Sequence, residues 1–155
     1  MLAMACDYRI MASSSSSSSS NGKKSGTIGL NEAQFGILAP PWLGQLMIRT
    51  IGFRKAEEAL SLGTLYTPEK AYEIGLVDKI VQGDKVLETS YSIASQFAKI
   101  PSHARYGSKM LARKQFLDDL IDTRVEDTNY FCNFIQDSAV QNGIGDYLLK
   151  LKQKN

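Results

Sequence analysis

The sequence is poor in the residues that build disulfide scaffolds, metal sites and histidine-based catalytic centres. Among its 155 residues are two cysteines, Cys6 and Cys132, and one histidine, His103. Two cysteines so far apart have neither the density of a small secreted disulfide fold nor the paired spacing of a zinc site, and we interpret both as buried thiols. We expect His103, which cannot form a histidine cluster alone, to be a surface residue or a helix-capping residue.

The sequence also lacks a large net charge, long apolar runs and phosphate-binding glycine loops. The 18 Lys and Arg residues against 16 Asp and Glu leave a net charge of +2, too small to indicate a nucleic-acid or membrane-surface partner. Every apolar run is shorter than the ~18 residues that cross a bilayer, and the first residues have no targeting pattern. The absence of P-loop and dinucleotide motifs argues against nucleotide hydrolysis and hydride transfer. We expect no metal and no cofactor.

The composition is that of a soluble globular domain, with 43% hydrophobic and 22% charged residues. A chain of this length predicts one domain with a buried core. Within it, Ser13–Ser20 is an unbroken serine run that continues in small and basic residues to Gly26. Such a segment cannot contribute to a core and predicts a flexible loop, most simply an inert insertion. A phosphorylation switch stays open, although nothing in the run selects one serine.

Short strands and longer helices are predicted from the apolar patterns and the turn residues. The predicted strands are 8–11, 27–31 and 77–81, and the predicted helices are 1–6 (the end of one), 42–51, 54–62, 68–73, one from about 84 that ends before Pro101, one from about 102, and 140–151. The fold class is therefore α/β, with few short strands followed by a mostly helical region. We expect strands 8–11 and 27–31 to lack neighbours along their edges.

Glu32 is the carboxylate whose sequence surroundings most favour a catalytic role. It follows the strand at 27–31 and precedes an apolar stretch that includes Phe35, Ile37, Leu38 and Trp42. A carboxylate among apolar side chains is partly desolvated, and such a group can act as a general base near neutral pH. The alternative is that Glu32 caps a neighbouring turn or forms a salt bridge with it.

Several segments resemble one superfamily with the spacing kept. The most widely shared signature is formed by Gly52–Ala56, Leu62–Gly63, Ala71 and Gly75–Asp78, and Cys6–Ile10 is a further match. On these residues the chain resembles the crotonase (enoyl-CoA hydratase/isomerase) superfamily from Met1 to about Lys152. The segments closest to its mitochondrial Δ3,Δ2-enoyl-CoA isomerase branch are Ile28–Glu32, Ala39–Leu43 and Ile100–Arg105.

The resemblance implies a function and a mechanism. It implies an isomerase of unsaturated fatty acid β-oxidation in the mitochondrial matrix, a homotrimer whose substrate is an acyl-CoA thioester. In that branch one glutamate removes a proton from C2 of a 3-enoyl-CoA and returns it at C4. The corresponding residue is Glu32, and Asn31 matches a position that contacts the substrate. Hydratases of the superfamily need a second carboxylate, which would fall at Met1, so water addition is disfavoured.

The resemblance covers the C-terminal part of the family domain. It divides the chain into residues 1–100, a partial crotonase ββα spiral with the Ser-rich insertion at 13–26, and residues 101–155, a helical trimerisation or lid region. The two backbone N–H groups that hold the enolate oxygen in the family would precede Met1, and losing one such donor typically costs about 10²- to 10³-fold in kcat. We therefore expect the 155-residue chain alone to be inactive and prone to aggregation.

Two other functions stay open. One is a non-catalytic crotonase-like fragment with an oligomerisation or binding role, and the other is another crotonase such as an enoyl-CoA hydratase. The basic residues predicted either to contact CoA phosphates or to form a solvated face are Lys109, Arg113, Lys114, Lys150, Lys152 and Lys154.

Overall fold

The computed structural model describes residues 2–14 and 26–153. The α-helices are α1 (Leu2–Ala5), α2 (Pro41–Ile51), α3 (Phe53–Leu62), α4 (Pro68–Glu73), α5 (Val86–Ala98), α6 (Ser102–Ile135) and α7 (Ser138–Lys152). The strands are β1 (Ile10–Ala12), β2 (Ile28–Gly29), β3 (Leu65–Tyr66) and β4 (Lys79–Val81), and 3-10 turns cover Glu32–Phe35 and Gly83–Lys85. The described residues thus have the predicted α/β class, with short strands followed by a mostly helical region. Most of the predicted serine loop lies outside the described residues.

Two small sheets hold the strands together. β1 pairs with β4 in parallel, with Ile10 opposite Lys79, and β2 pairs with β3 antiparallel, with Ile28 opposite Tyr66. The expectation that the first two strands lack neighbours was therefore wrong, because each has a later strand along one edge. The prediction missed β3, since two residues are too few to show an alternating pattern.

The core lies between α2, α3 and the segment that follows α4. On α2, Leu43, Met47 and Ile51 recur at steps of four and form one buried face. They face a helix whose buried residues are Ala56 and Ala59, both fully inaccessible. Small alanine side chains let the two helix backbones approach closely, so the larger residues of α2 fill the space between them.

Local capping signals place the short helix α4 where the sequence predicts it. Thr67 is its N-cap and accepts a hydrogen bond from the backbone N–H of Lys70, and Pro68 occupies the first helical position. In the first turn of α4, the Glu69 carboxylate accepts hydrogen bonds from the backbone N–H and the hydroxyl of the distant Ser14, at 2.9 and 2.7 Å. These bonds lower the pKa of Glu69 and fix the chain where the serine run begins.

The long helix α6 extends away from this core. At 1.5 Å per residue its 34 residues span about 50 Å. Of residues 102–135, all of which the structure describes, none is buried. Arg49 connects α6 to α2, because its guanidinium donates to the Ala112 carbonyl at 2.8 Å and lies 5.2 Å from the centre of the Phe116 ring. Within the described residues, no helix is long and apolar enough to span a membrane.

The interpretation of both cysteines as buried thiols was wrong. Cys6 lies just after α1 and Cys132 lies on α6, and both are exposed. The prediction treated cysteine as a small apolar residue, which is usually buried. Here the burial of each residue follows its element, and neither the end of α1 nor this part of α6 is covered.

Candidate active site around Glu32

Glu32 is the first residue of a 3-10 turn that follows β2. Strand pairing with β3 fixes the backbone at Ile28 and Gly29, and the next residue, Leu30, is 5% exposed and belongs to the core. Asn31 is the N-cap of the turn, but its side chain accepts no capping hydrogen bond from the turn. Because the strand is anchored, Asn31 and Glu32 lie next to each other at the edge of the core.

One side of the turn is held against the end of α3. The Gln34 side chain donates a hydrogen bond to the Gly63 carbonyl at 2.8 Å, and its backbone N–H donates to the Asn31 carbonyl at 3.0 Å. Gly63 has the left-handed φ of 61° that ends α3. A Cβ at this glycine would lie 2.8 Å from Gln34 Cγ and 3.2 Å from the Asn31 carbonyl oxygen. Glycine is thus required where α3 meets the turn.

The opposite contact of the turn is with α7. The Phe35 and Tyr147 rings pack with their centroids 4.2 Å apart and their planes inclined by 46°. Next to them, a Cβ on Gly143 would lie 3.7 Å from the Phe35 carbonyl oxygen and 3.8 Å from Gly36 Cα. A helix from the end of the chain therefore lies directly against the residues that follow Glu32.

The Glu32 carboxylate has an unusual environment. The residue is half-buried, and its Oε2 atom is inaccessible to solvent and has no hydrogen-bond partner among the described residues. An oxygen in that state forgoes its bonds to water, which is costly for a carboxylate unless another group satisfies it. Among the described residues Glu32 therefore forms no salt bridge with a neighbouring turn, so that alternative interpretation is wrong. The oxygen has the chemistry of a proton acceptor, but it is covered here, so a ligand could reach it only after the covering atoms move.

The apolar residues predicted to surround Glu32 are half-buried in the segment that follows it. Phe35 packs on Tyr147. Trp42 lines a cavity of about 460 Å³ whose walls also include Leu46 and Leu120. Glu32 itself lines neither this cavity nor the other two described ones, of about 350 and 390 Å³. None of these three cavities therefore contains the carboxylate.

Arg9 and Asp78 form an ion pair at the end of the β1–β4 sheet where both parallel strands begin. The Asp78 carboxylate accepts from the Arg9 backbone N–H at 2.7 Å and from its guanidinium at 2.9 Å. In return, the backbone N–H groups of Asp78 and Lys79 donate to the Arg9 carbonyl. Sequence reasoning placed each residue in a family-like segment but did not pair them, because 69 positions separate them.

Three basic residues of α6, those predicted to contact CoA phosphates or to form a solvated face, are paired with carboxylates of this chain. Lys109 Nζ lies 2.7 Å and Arg113 3.1 Å from the Asp7 carboxylate, and Lys114 pairs with Asp118 on the same helix. The hydrogen bond from Lys109 holds the pKa of Asp7 below its usual value, and the pair with Asp118 raises the pKa of Lys114. To bind CoA phosphates, Lys109 and Arg113 would first have to break their ion pairs with Asp7. Lys154 lies outside the described residues.

The described residues bring no group of three or more His, Cys, Asp or Glu side chains together as a metal site. His103 is exposed in the first turn of α6, so the prediction of a surface histidine is confirmed.

Comparison with known proteins decides the family. The model of the family described as "Enoyl-CoA hydratase/isomerase" matches residues 1–154. The chain belongs to this family. It is 43% identical to the "Enoyl-CoA delta isomerase 1, mitochondrial" of Rattus norvegicus, over 99% of this chain and 50% of that protein. The protein of the same name from Homo sapiens is 38% identical, over 99% of this chain and 48% of its own length.

A solved structure agrees with this placement in the enoyl-CoA hydratase/isomerase family. The human mitochondrial delta3-delta2-enoyl-CoA isomerase superposes with a TM-score of 0.87 at 39% identity, over 99% of this chain and 56% of that one. The crotonase-like α/β fold expected from the sequence is thereby confirmed. The chain spans about half the length of the curated relatives it matches. The placement in the C-terminal part of the family domain and the division at residue 100 stay predictions.

Proposed function

We propose that the protein is a Δ3,Δ2-enoyl-CoA isomerase in which Glu32 carries the proton. The Glu32 carboxylate removes a proton from C2 of a 3-enoyl-CoA, and the electrons of the C2–H bond move towards the thioester carbonyl. The electrons then return from the thioester oxygen to form the double bond between C2 and C3. The C3–C4 double bond breaks in the same step, and its electron pair takes back the proton from Glu32 to form the new C4–H bond. The proton that leaves C2 is the one that arrives at C4, so the reaction needs neither a cofactor nor water.

The observation that carries the proposal is the buried Oε2 atom of Glu32, which has no hydrogen-bond partner in the described part of the chain. A base that accepts a carbon-bound proton works best with an oxygen that is neither solvated nor engaged by the protein. Asn31, next to Glu32 at the end of β2, is the proposed substrate contact. The position proposed for a hydratase's second carboxylate is Met1, which lies outside the described residues.

The names of the matching relatives support the rest of the proposal. The two mammalian proteins are named mitochondrial enoyl-CoA delta isomerases. We extend to this protein an acyl-CoA thioester substrate, a place in the β-oxidation of unsaturated fatty acids in the mitochondrial matrix, and a homotrimeric assembly. Each of these extensions follows family membership rather than a contact seen in the structure.

The test is the substitution Glu32→Gln in the natural full-length protein. Glutamine keeps the size of the side chain and removes its capacity to take a proton, so the isomerisation rate should fall about 10²- to 10⁴-fold. The rate is measured from the appearance of the conjugated 2-enoyl thioester by absorbance. The matched control is Glu57→Gln on α3, an exposed carboxylate paired with Arg54, which should leave the rate unchanged. An unchanged rate in Glu32→Gln would remove Glu32 from the mechanism.

The same preparation separates the alternatives. Hydration of a 2-enoyl-CoA, followed as loss of the conjugated absorbance, should be much slower than isomerisation. Faster hydration than isomerisation would identify a hydratase. Binding of acyl-CoA with neither reaction would identify a non-catalytic protein.

A further inference from the structure

The turn that carries Glu32 has few bonds of its own. It is four residues long, and its N-cap Asn31 contributes no side-chain hydrogen bond. The backbone bonds at its two ends include those from the Gln34 N–H to the Asn31 carbonyl at 3.0 Å and from the Ile37 N–H to the Glu32 carbonyl at 3.2 Å, and the Gly36 N–H donates to the carbonyls of Ala33 and Glu32. Short 3-10 segments have poorer hydrogen-bond geometry than α-helices, so neighbouring elements must fix the direction of this one.

The Glu32 carboxylate is not fixed by hydrogen bonds of its own either. Because Oε2 has no hydrogen-bond partner among the described residues, no donor from the described protein orients that oxygen. Its position depends on the backbone of the turn and on whatever restrains that backbone.

On the side of α7, one such restraint acts on Phe35. In a 3-10 helix the side chains at i and i+3 are eclipsed, so Glu32 and Phe35 project from the same face of the turn. The Phe35 ring is held by Tyr147 at a centroid distance of 4.2 Å. Gly143, one turn earlier on α7, approaches the backbone at Phe35 and Gly36. Fixing the ring of Phe35 therefore fixes the face from which the carboxylate extends.

We propose that Tyr147 is a positioning residue for the Glu32 carboxylate, acting through Phe35. Gly143 allows α7 to approach closely enough for this contact. The inference rests on the proposed function, since it assigns Tyr147 to the proton transfer by Glu32. The phenol oxygen has no part in it, because the contact is between the two rings.

The experiment compares four variants in the natural full-length protein. Tyr147→Leu removes the ring, whereas Tyr147→Phe keeps it. Val140→Ala shortens the buried residue of α7, which is 8% exposed, and controls for general weakening of the helix. Leu149→Ala removes an exposed side chain from α7 and controls for substitution alone. All assays run well below the unfolding temperature of every variant.

We expect Tyr147→Leu to lower kcat between about 10- and 100-fold, because a displacement of about 1 Å can cost a catalytic group that much. KM should change less than about 2-fold, since the substrate contacts are intact. Tyr147→Phe should retain the wild-type kcat, and Val140→Ala and Leu149→Ala should do so as well. If Val140→Ala lowers kcat as much as Tyr147→Leu, or if Tyr147→Leu keeps the wild-type kcat, the positioning role is wrong.

A double variant shows whether the effect passes through Glu32. In the Glu32→Gln background, Tyr147→Leu should cause no further loss of kcat, because the group that it positions is already disabled. A loss that multiplies with that of Glu32→Gln would overturn the inference while leaving the proposed function intact. Wild-type activity in Glu32→Gln alone would instead overturn the proposed function.

Discussion

Asp7 illustrates how one side chain connects distant parts of this chain. Its carboxylate bonds Lys109 and Arg113 of α6, about a hundred positions away. The hydrogen bond from Lys109 is the largest cause that lowers the pKa of Asp7. Desolvation, the next largest cause, opposes it, and the positive charges of Lys109, Arg113 and Arg105 lower the pKa further. Because the folded pKa is below the usual value of 3.8, the pair stabilises the folded state above that pH.

We expect Asp7→Asn to lower the free energy of unfolding at neutral pH by less than about 1 kcal/mol, because the carboxylate is one-third exposed and screened by water. The stabilisation by Asp7 should be complete above about pH 4 and disappear as the pH falls through its lowered pKa. Urea unfolding of both proteins from pH 7 to pH 2 measures the difference. High salt should reduce it at neutral pH. A difference that stays constant down to pH 2 would contradict the ionic origin.

At the scale of elements, the junction between α3 and the Glu32 turn depends on Gly63. The residue ends α3 in the left-handed region, with φ at 61°, and an added Cβ would meet Gln34 and the Asn31 carbonyl. Gly75 offers a matched comparison, since its φ is 80° and an added Cβ would meet nothing within 4 Å. Comparing substitutions at Gly63 and Gly75 therefore distinguishes the cost of backbone strain from the cost of a clash with the Glu32 turn.

Gly63→Ala should therefore destabilise the protein more than Gly75→Ala. Each alanine costs about 1–2 kcal/mol for the left-handed backbone, and Gly63→Ala adds about 1–3 kcal/mol for displacing the turn. The free energies of unfolding in urea, measured side by side, give the difference. Equal losses in the free energy of unfolding would mean that the Glu32 turn moves without cost when a Cβ is added at Gly63. The junction with α3 would then not fix the turn.

At the scale of the whole molecule, the described helices leave much apolar surface uncovered. On α6, Leu111 is 91% exposed, and Ile121 and Val125, four positions apart on one face, are 71% and 69% exposed. Other exposed large apolar residues include Leu87, Tyr91, Tyr106, Tyr130 and Leu149. Apolar surface of this extent drives association when nothing covers it.

The 155-residue chain produced alone should self-associate and bind a hydrophobic dye, as light scattering and dye fluorescence would show. Replacing both Ile121 and Val125 with lysine should reduce that association. The matched control places lysine at Asn129 and Asn133, which are also exposed and four positions apart, and so adds the same charge without removing apolar surface. A monomer with a reversible thermal transition, or equal effects of the two double variants, would contradict the apolar origin.

Local signals explain which elements could be predicted and which could not. Thr67 and Pro68 begin α4 and Gly63 ends α3 through bonds within a few residues, so the sequence predicts those boundaries correctly. Glu32 could be selected as a candidate because a carboxylate between a strand and an apolar stretch is visible in a short window. β3 and the Arg9–Asp78 pair were not, because each exists only through a partner far along the chain.

The amino-acid sequence by itself determined the main helices, the family to which the chain belongs and the selection of Glu32 as the candidate base. It could do so because periodicity, caps and motifs are properties of neighbouring residues. Only the tertiary structure decided that α7 packs on the turn of Glu32, that Gly63 holds its other side, and that Oε2 is buried without a partner in the described residues. The physical reason is that the burial and orientation of a side chain depend on atoms brought close by folding, and sequence distance carries no measure of that proximity.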